Sequence, residues 1–188
     1  MVIDPVTHET SSTSYPGGYR LRDLVFSPDG STLYVANGVG NDEVLVIDPD
    51  SMAVVDSAPT DADPWAVDVT PDGNRLFLAN QDAGNVTAVN VADMSTQTIS
   101  LQSGAEPRDV DIAVDGSAVY VPSESIPGED AVFVIDPNSL AVVETILLGG
   151  DDSFTNVLAV ARQGAPSGWL FCDGIEEGDT SEWSQLVP

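Results

Sequence analysis

An all-β fold of repeated four-stranded units is predicted by three observations. A turn recurs at constant spacing: Ser27-Pro28-Asp29-Gly30 returns as Thr70-Pro71-Asp72-Gly73 and, altered, as Ala113-Val114-Asp115-Gly116, 43 positions on each time. The run after each turn repeats in step, as Leu33-Tyr34-Val35-Ala36-Asn37, Leu76-Phe77-Leu78-Ala79-Asn80 and Val119-Tyr120-Val121-Pro122-Ser123. β-branched and aromatic residues fill the runs while Gly, Asp, Asn and Pro fill the gaps, the chemistry of short strands and tight turns. A period of this length made of four short strands is the signature of a β-propeller, in which each repeat is one antiparallel blade.

Three complete blades follow in order. The first, 21–57, has strands at 21–27, 32–36, 43–48 and 52–57; the second, 66–101, has them at 66–70, 75–79, 85–91 and 96–101. The third, 109–147, uses 109–113, 118–121, 131–136 and 141–147, with almost no helix anywhere. Half-blades flank these. Residues 1–15 supply third and fourth strands, because Val2-Ile3-Asp4-Pro5 matches Val46-Ile47-Asp48-Pro49 and Val134-Ile135-Asp136-Pro137; residues 157–171 supply first and second strands. The repeats thus span 1–172 and amount to about four blade equivalents, either a small closed ring or an arc of a larger propeller. An acidic tail occupies 173–188. The chain opens in mid-blade with neither a basic segment nor an apolar one that would serve export, and we read it as part of a longer, exported protein.

Tyr34-Val35-Ala36-Asn37 after Ser-Pro-Asp-Gly, followed by Val44-Leu45-Val46-Ile47-Asp48, resembles the YVTN family of β-propeller repeats over roughly residues 1–160. The third copy departs from it at Ala113-Val114 and Pro122-Ser123. The resemblance implies a propeller scaffold and a cell-surface or secreted location, and no particular reaction. The segment 173–184 is similar to an acidic tail that ends many secreted bacterial proteins, which also implies export.

Composition removes several classes of function. Five basic residues, all arginine, face 31 acidic ones for a net charge of −26. Such a charge repels nucleic acid and anionic membrane, and no segment supplies a basic patch to offset it. A lysine-free acidic surface suits saline water, where self-repulsion is screened. No apolar run is long enough to span a membrane. Cys172 and His8 are each the only residue of their type, so no disulfide, four-ligand zinc site or conventional nucleophile-histidine pair is encoded. No phosphate-cradling glycine loop is present. The sequon Asn85-Val86-Thr87 overlaps a strand.

Repeat geometry supplies the candidate site. Turns at Pro28-Asp29, Pro49-Asp50, Pro71-Asp72 and Pro137-Asn138 share one face of an antiparallel blade set, and the links 37–42, 80–84 and 123–130 share the other. Arg22, Trp65 and Arg108 are 43 apart, so they hold one equivalent position on the link face, with Asp23 and Asp109 beside them. Two guanidiniums and an indole suit a carboxylate or a sugar face. The same residues also read as packing and ion pairs between blades. Asp61, Asp63, Glu106, Asp151 and Asp152 lie toward this face as candidate calcium ligands, without a calcium-loop motif; no other cofactor is indicated.

The main reading is a non-catalytic exported propeller, a binding or surface-layer scaffold whose partner is a protein, small molecule or carbohydrate. The alternative is a lactonase-like hydrolase at the channel mouth, with Asp23 or Asp109 as base and Arg22 or Arg108 as electrophile, on fold analogy.

Overall fold

A computed structural model describes residues 20–38, 40–126 and 129–148, together with two short strand pairs. These pairs are β1 (Val2–Ile3) with β2 (Thr10–Ser11), and, at the other end of the chain, Leu158–Val160 with Leu170–Cys172. Most of both expected half-blades, His8, Asp151, Asp152 and the tail lie outside the described residues.

Blade 1 contains β3 (Arg20–Phe26), β4 (Leu33–Gly38), β5 (Glu43–Asp48) and β6 (Ala53–Pro59) in that spatial order. Blade 2 contains β7 (Pro64–Val69), β8 (Arg75–Asn80), β9 (Asn85–Asn90) and β10 (Thr96–Ser100), again adjacent in sequence order. In blade 3 the first strand is split into β11 (Glu106–Pro107) and β12 (Asp111–Ile112), both paired to β13 (Val119–Ile126), then β14 (Glu129–Asp136) and β15 (Ala141–Leu147). All pairings are antiparallel, and no helix occurs among the described residues. The three sheets form an arc of a propeller. The expected long link at 123–130 is largely strand instead: β13 and β14 keep pairing past Ser123 through an irregularity to Ile126↔Glu129.

Side-chain alternation explains how successive blades stack. Tyr34, Ala36, Val44 and Val46 on one face of blade 1 pack with Val67, Val69, Leu76 and Leu78 of blade 2. The opposite face of blade 2, with Phe77, Ala79 and Val86, packs on Val110, Val119, Val121 and Phe133 of blade 3. Central strands therefore bury both faces, which is why β8 reads as a nearly unbroken apolar run rather than an alternating one. Phe77 and Leu76 point to opposite neighbours and are both fully buried. The aromatic positions Tyr34, Phe77 and Tyr120 accordingly serve packing.

The first strands of successive blades meet, β3 against β7 and β7 against β12. Their outer edges carry backbone N–H groups that no strand receives. Two aspartates fill that need in the same way. Asp23 accepts Leu24 N–H on Oδ1 (2.8 Å) and Val67 N–H of the next blade on Oδ2 (3.0 Å). Asp68 accepts Val69 N–H (2.8 Å) and, across to blade 3, Ile112 N–H (2.9 Å). A charged acceptor on a buried N–H is a strong contact, and it stitches blade to blade.

Candidate functional site

At the link end of each first strand the register slips by one residue. Leu21 faces Asn37 but Leu24 faces Val35; Pro64 faces Asn80 but Ala66 faces Ala79; Pro107 faces Ser123 but Asp111 faces Tyr120. The slip is a β-bulge, and bulges re-aim the side chains they carry. Arg22, Trp65 and Arg108 all lie in these bulges, and the structure brings the three together. The Arg22 guanidinium carbon lies 3.9 Å from the centre of the Trp65 ring and that of Arg108 lies 5.7 Å from it. Stacked guanidinium and indole attract through the ring quadrupole.

Each arginine is held by carboxylates, in two different ways. Arg22 Nη2 donates to both oxygens of Asp63, at 3.1 and 2.9 Å, and Trp65 Nε1 donates to Asp63 Oδ2 at 2.8 Å. Asp63 stands just before β7, so this pair clamps blade 1 to blade 2; its side chains are only 15% and 10% exposed. Arg108 pairs within its own blade. Its Nη1 meets Glu124 Oε1 and its Nη2 meets Glu124 Oε2, both at 3.3 Å, a two-pronged contact, while Glu106 stands at 3.6 Å. This half of the cluster is open, with Glu106 44% and Arg108 25% exposed.

Local backbone places Asp63. It has φ +54°, and its N–H donates to Asp42 Oδ1 at 3.1 Å; Asp42 is itself left-handed, at φ +46°. Left-handed backbone is unusual for a side chain other than glycine or asparagine and is retained where surroundings demand it. Gly38 completes the seat, since a Cβ there would collide with Asp63 Oδ1.

The remaining expected residues have other work. Asp23 is occupied by the two backbone N–H groups described above rather than presented to the mouth. Asp109 Oδ1 accepts Val110 N–H at 2.9 Å. Asp61 Oδ2 accepts the Thr98 hydroxyl at 2.8 Å, and Asp63 is committed to Arg22 and Trp65, so these two do not converge as calcium ligands. Among the described residues no group of three or more His, Cys, Asp or Glu side chains is placed to hold a metal ion. Thr87 of the sequon is buried and accepts from Asn80 Nδ2, so in the folded chain it serves the blade core. Sequence reasoning missed Glu124 and Asp42. Glu124 holds the repeat position of Gly38 and Gln81, so comparing the three repeats there would have flagged a carboxylate beside an arginine.

Bladed sheets of four antiparallel strands, stacked through their faces and bulged at one end of the first strand, define a β-propeller repeat protein. Residues 4–103, just over half of the chain, match the family described as Lactonase, 7-bladed beta-propeller, and the chain belongs to that family. Among solved structures it is similar to a putative 6-phosphogluconolactonase from Bacteroides uniformis, at 21% identity and TM-score 0.64, covering 82% of this chain and 47% of that one. It is similar too to the WD40 repeats of RRP9, at 14% identity and TM-score 0.63, covering 77% of this chain and 42% of that one. At these identities the likeness is one of fold. The chain spans about half the length of the solved structures it matches. No curated protein matches it.

Proposed function

We propose that this arc contributes the ligand-binding mouth of a lactone-hydrolysing propeller. The observation that carries the reading is the open half of the bulge cluster, a guanidinium (Arg108) beside a solvent-reached carboxylate (Glu106). Membership of a lactonase family and the fold of a putative phosphogluconolactonase support it. In this reading Glu106 takes a proton from water as the water oxygen attacks the lactone carbonyl, and Arg108 stabilises the oxyanion. Collapse breaks the ring C–O bond, Glu106 returns the proton to the departing ring oxygen, and a hydroxy acid is released. Arg22 and Asp63, sealed against Trp65, position the stack without meeting substrate. The base thus moves from Asp23 or Asp109 to Glu106, because Asp23 is spent on backbone N–H groups.

Assay of the purified chain on a panel of sugar lactones tests this. Turnover is expected, with Glu106→Gln and Arg108→Gln each lowering kcat by about a hundredfold. Turnover unaffected by both substitutions refutes the assignment, and no turnover on any lactone favours the second reading.

That second reading is a non-catalytic scaffold, exported and displayed at the cell surface. The cross-blade clamp Arg22–Asp63 favours it, because a mostly buried cation paired to a carboxylate of the next blade serves blade stacking. The YVTN-like repeats and the acidic surface point the same way.

A further inference from the structure

We propose that blade 2 carries a binding cleft for a neutral carbohydrate, between the segment 81–85 and the segment 100–106. Comparison of the three blades leads to it. In blade 1 the outermost ladder runs past Glu43↔Pro59 through Thr60 N–H to Asp42 O (2.8 Å). In blade 3 it runs past Ala131↔Leu147 through Leu148 N–H to Asp130 O (2.8 Å). In blade 2 the pairing ends at Asn85↔Ser100, and no corresponding bond joins Leu101 to Gly84 among the described residues. Gly84 instead turns back, its N–H on Asn80 O and Gln81 O at 3.0 and 3.1 Å, with φ +64°. The two segments part and leave a cleft of about 580 Å³.

That volume falls within the range of small-molecule sites, about 300–1,000 Å³. Its rim presents Gln81, Asp82, Asn85, Gln102, Ser103 and Glu106, and neither lysine, arginine nor an aromatic ring lines it. Side-chain amides both donate to and accept from neighbouring hydroxyls of a sugar, and carboxylates accept from them, as the inventory of their polar atoms dictates. Asp82 and Glu106, the second of them 3.6 Å from Arg108 of the mouth, disfavour an anionic ligand because no cation lines the cleft itself. The walls are held from behind. Asn80 Nδ2 donates to Asn85 Oδ1 at 2.8 Å, Ala105 N–H to Gln102 O at 3.1 Å, and a Cβ on Gly84 would stand 2.8 Å from Ala105 O.

A second departure coincides with the first. The acceptors equivalent to Asn80 are filled in the sibling blades: Asn37 Oδ1 takes Arg20 N–H at 3.0 Å and Ser123 Oγ takes Glu106 N–H at 2.8 Å. In blade 2 the matching N–H, on Asp63, goes to Asp42, and Asn80 Oδ1 is buried with no partner among the described residues. An unfilled buried acceptor costs stability, and this one lies one hydrogen bond from the cleft wall. The second departure follows from the seat of Asp63 in the clamp between blades 1 and 2, whereas no blade contact accounts for the end of the ladder at Asn85↔Ser100. The cleft shares only Glu106 with the mouth, so it stands whether or not lactones are hydrolysed.

Titration of the ¹⁵N-labelled full chain by NMR with neutral mono- and disaccharides of glucose, galactose, mannose and xylose tests this, with glucuronate as the charged comparison. Expected are saturable shifts at the amides of Gly84, Ser103 and Gly104, weaker binding of glucuronate, and about fivefold or greater loss of affinity in Gln81→Ala and in Gln102→Ala. Both residues sit on the rim, and amide shifts of blades 1 and 3 verify the fold of each variant. No saturable shift at those amides with any neutral sugar overturns the proposal. So does glucuronate binding as tightly as the sugars, or unchanged affinity in both variants.

Discussion

The turn end and the link end of the arc obey the same repeat to different degrees. At the turn end the blades agree. Asp29, Asp72 and Asp115 each accept the N–H of the residue two places on, Ser31, Asn74 and Ser117, at 3.0 Å. Gly30, Gly73 and Gly116 are all left-handed, and Pro28 and Pro71 each lie 3.4 Å from the Cβ position of the next blade's glycine. At the link end the blades share the bulge, and their side chains differ. The residue two before the bulged one is Arg20, Asp63 or Glu106, and the position after the second strand's Asn or Ser is Gly38, Gln81 or Glu124. Tight turns have few chemical solutions, so a repeat that must make them keeps them. Links on a rigid frame carry no such demand and are where distinct chemistry accumulates.

The largest effect expected is from Asp63→Ala, which breaks the link-end clamp. It strips a mostly buried Arg22 of its carboxylate and Trp65 of its acceptor. Urea unfolding should show a loss of about 2–4 kcal/mol. A loss indistinguishable from zero would mean that the link end contributes nothing to stacking.

Gly73→Val probes the turn end. Left-handed backbone resists a β-branched side chain, and Pro28 already lies at contact distance, 3.4 Å from its Cβ position, leaving little room for the branch, so about 1–3 kcal/mol should be lost. Gly30→Val meets the same backbone demand with nothing within 4 Å of its Cβ. It should therefore cost less, and the difference between the two variants isolates the contact between blades. Equal losses would show that the proline packs without energetic consequence.

Glu124→Gln separates the two halves of the mouth. Its pair with Arg108 is partly exposed, so melting should change by less than about 1 kcal/mol, far below Asp63→Ala. Its consequence belongs in ligand binding or turnover. A stability loss matching that of Asp63→Ala would erase the distinction between a sealed and an open half.

The smallest effect concerns acid. The Ser27 hydroxyl, with the Ser31 N–H and hydroxyl, holds the Asp29 carboxyl down to about 2, and hydrogen bonds from Thr70 and Asn74 lower that of Asp72. A carboxyl depressed in the folded state adds stability above its unfolded value, and that contribution is lost as pH falls through the folded one. Melting temperature should therefore decline as pH drops from about 4 toward 2, and the decline should be shallower in Asp29→Asn. An identical slope in the variant would assign the decline to other groups.

Period, strand order and turn chemistry were legible from residues 27–37, 70–80 and 113–123, because alternation and turn preference are written within a few consecutive residues. The position of Arg22, Trp65 and Arg108 was legible as well, since equal spacing in a rotational repeat means equivalent places. Their partners were not. Asp63 read as a calcium candidate and Asp23 as a ligand group, whereas the fold commits the first to Arg22 and the second to Val67 N–H. A one-residue bulge decides which way each side chain leaves the strand, and a left-handed backbone at Asp63 swings its carboxylate across to the preceding blade. The link of blade 3, expected open, continues as strand because β13 and β14 find further partners beyond Ser123. The sequence by itself thus determined the repeat and its turns, where each choice is local. Tertiary structure alone decided which carboxylate meets which guanidinium and where a ladder stops, because those outcomes depend on contacts between strands, 41 positions apart for Arg22 with Asp63 and 16 for Arg108 with Glu124.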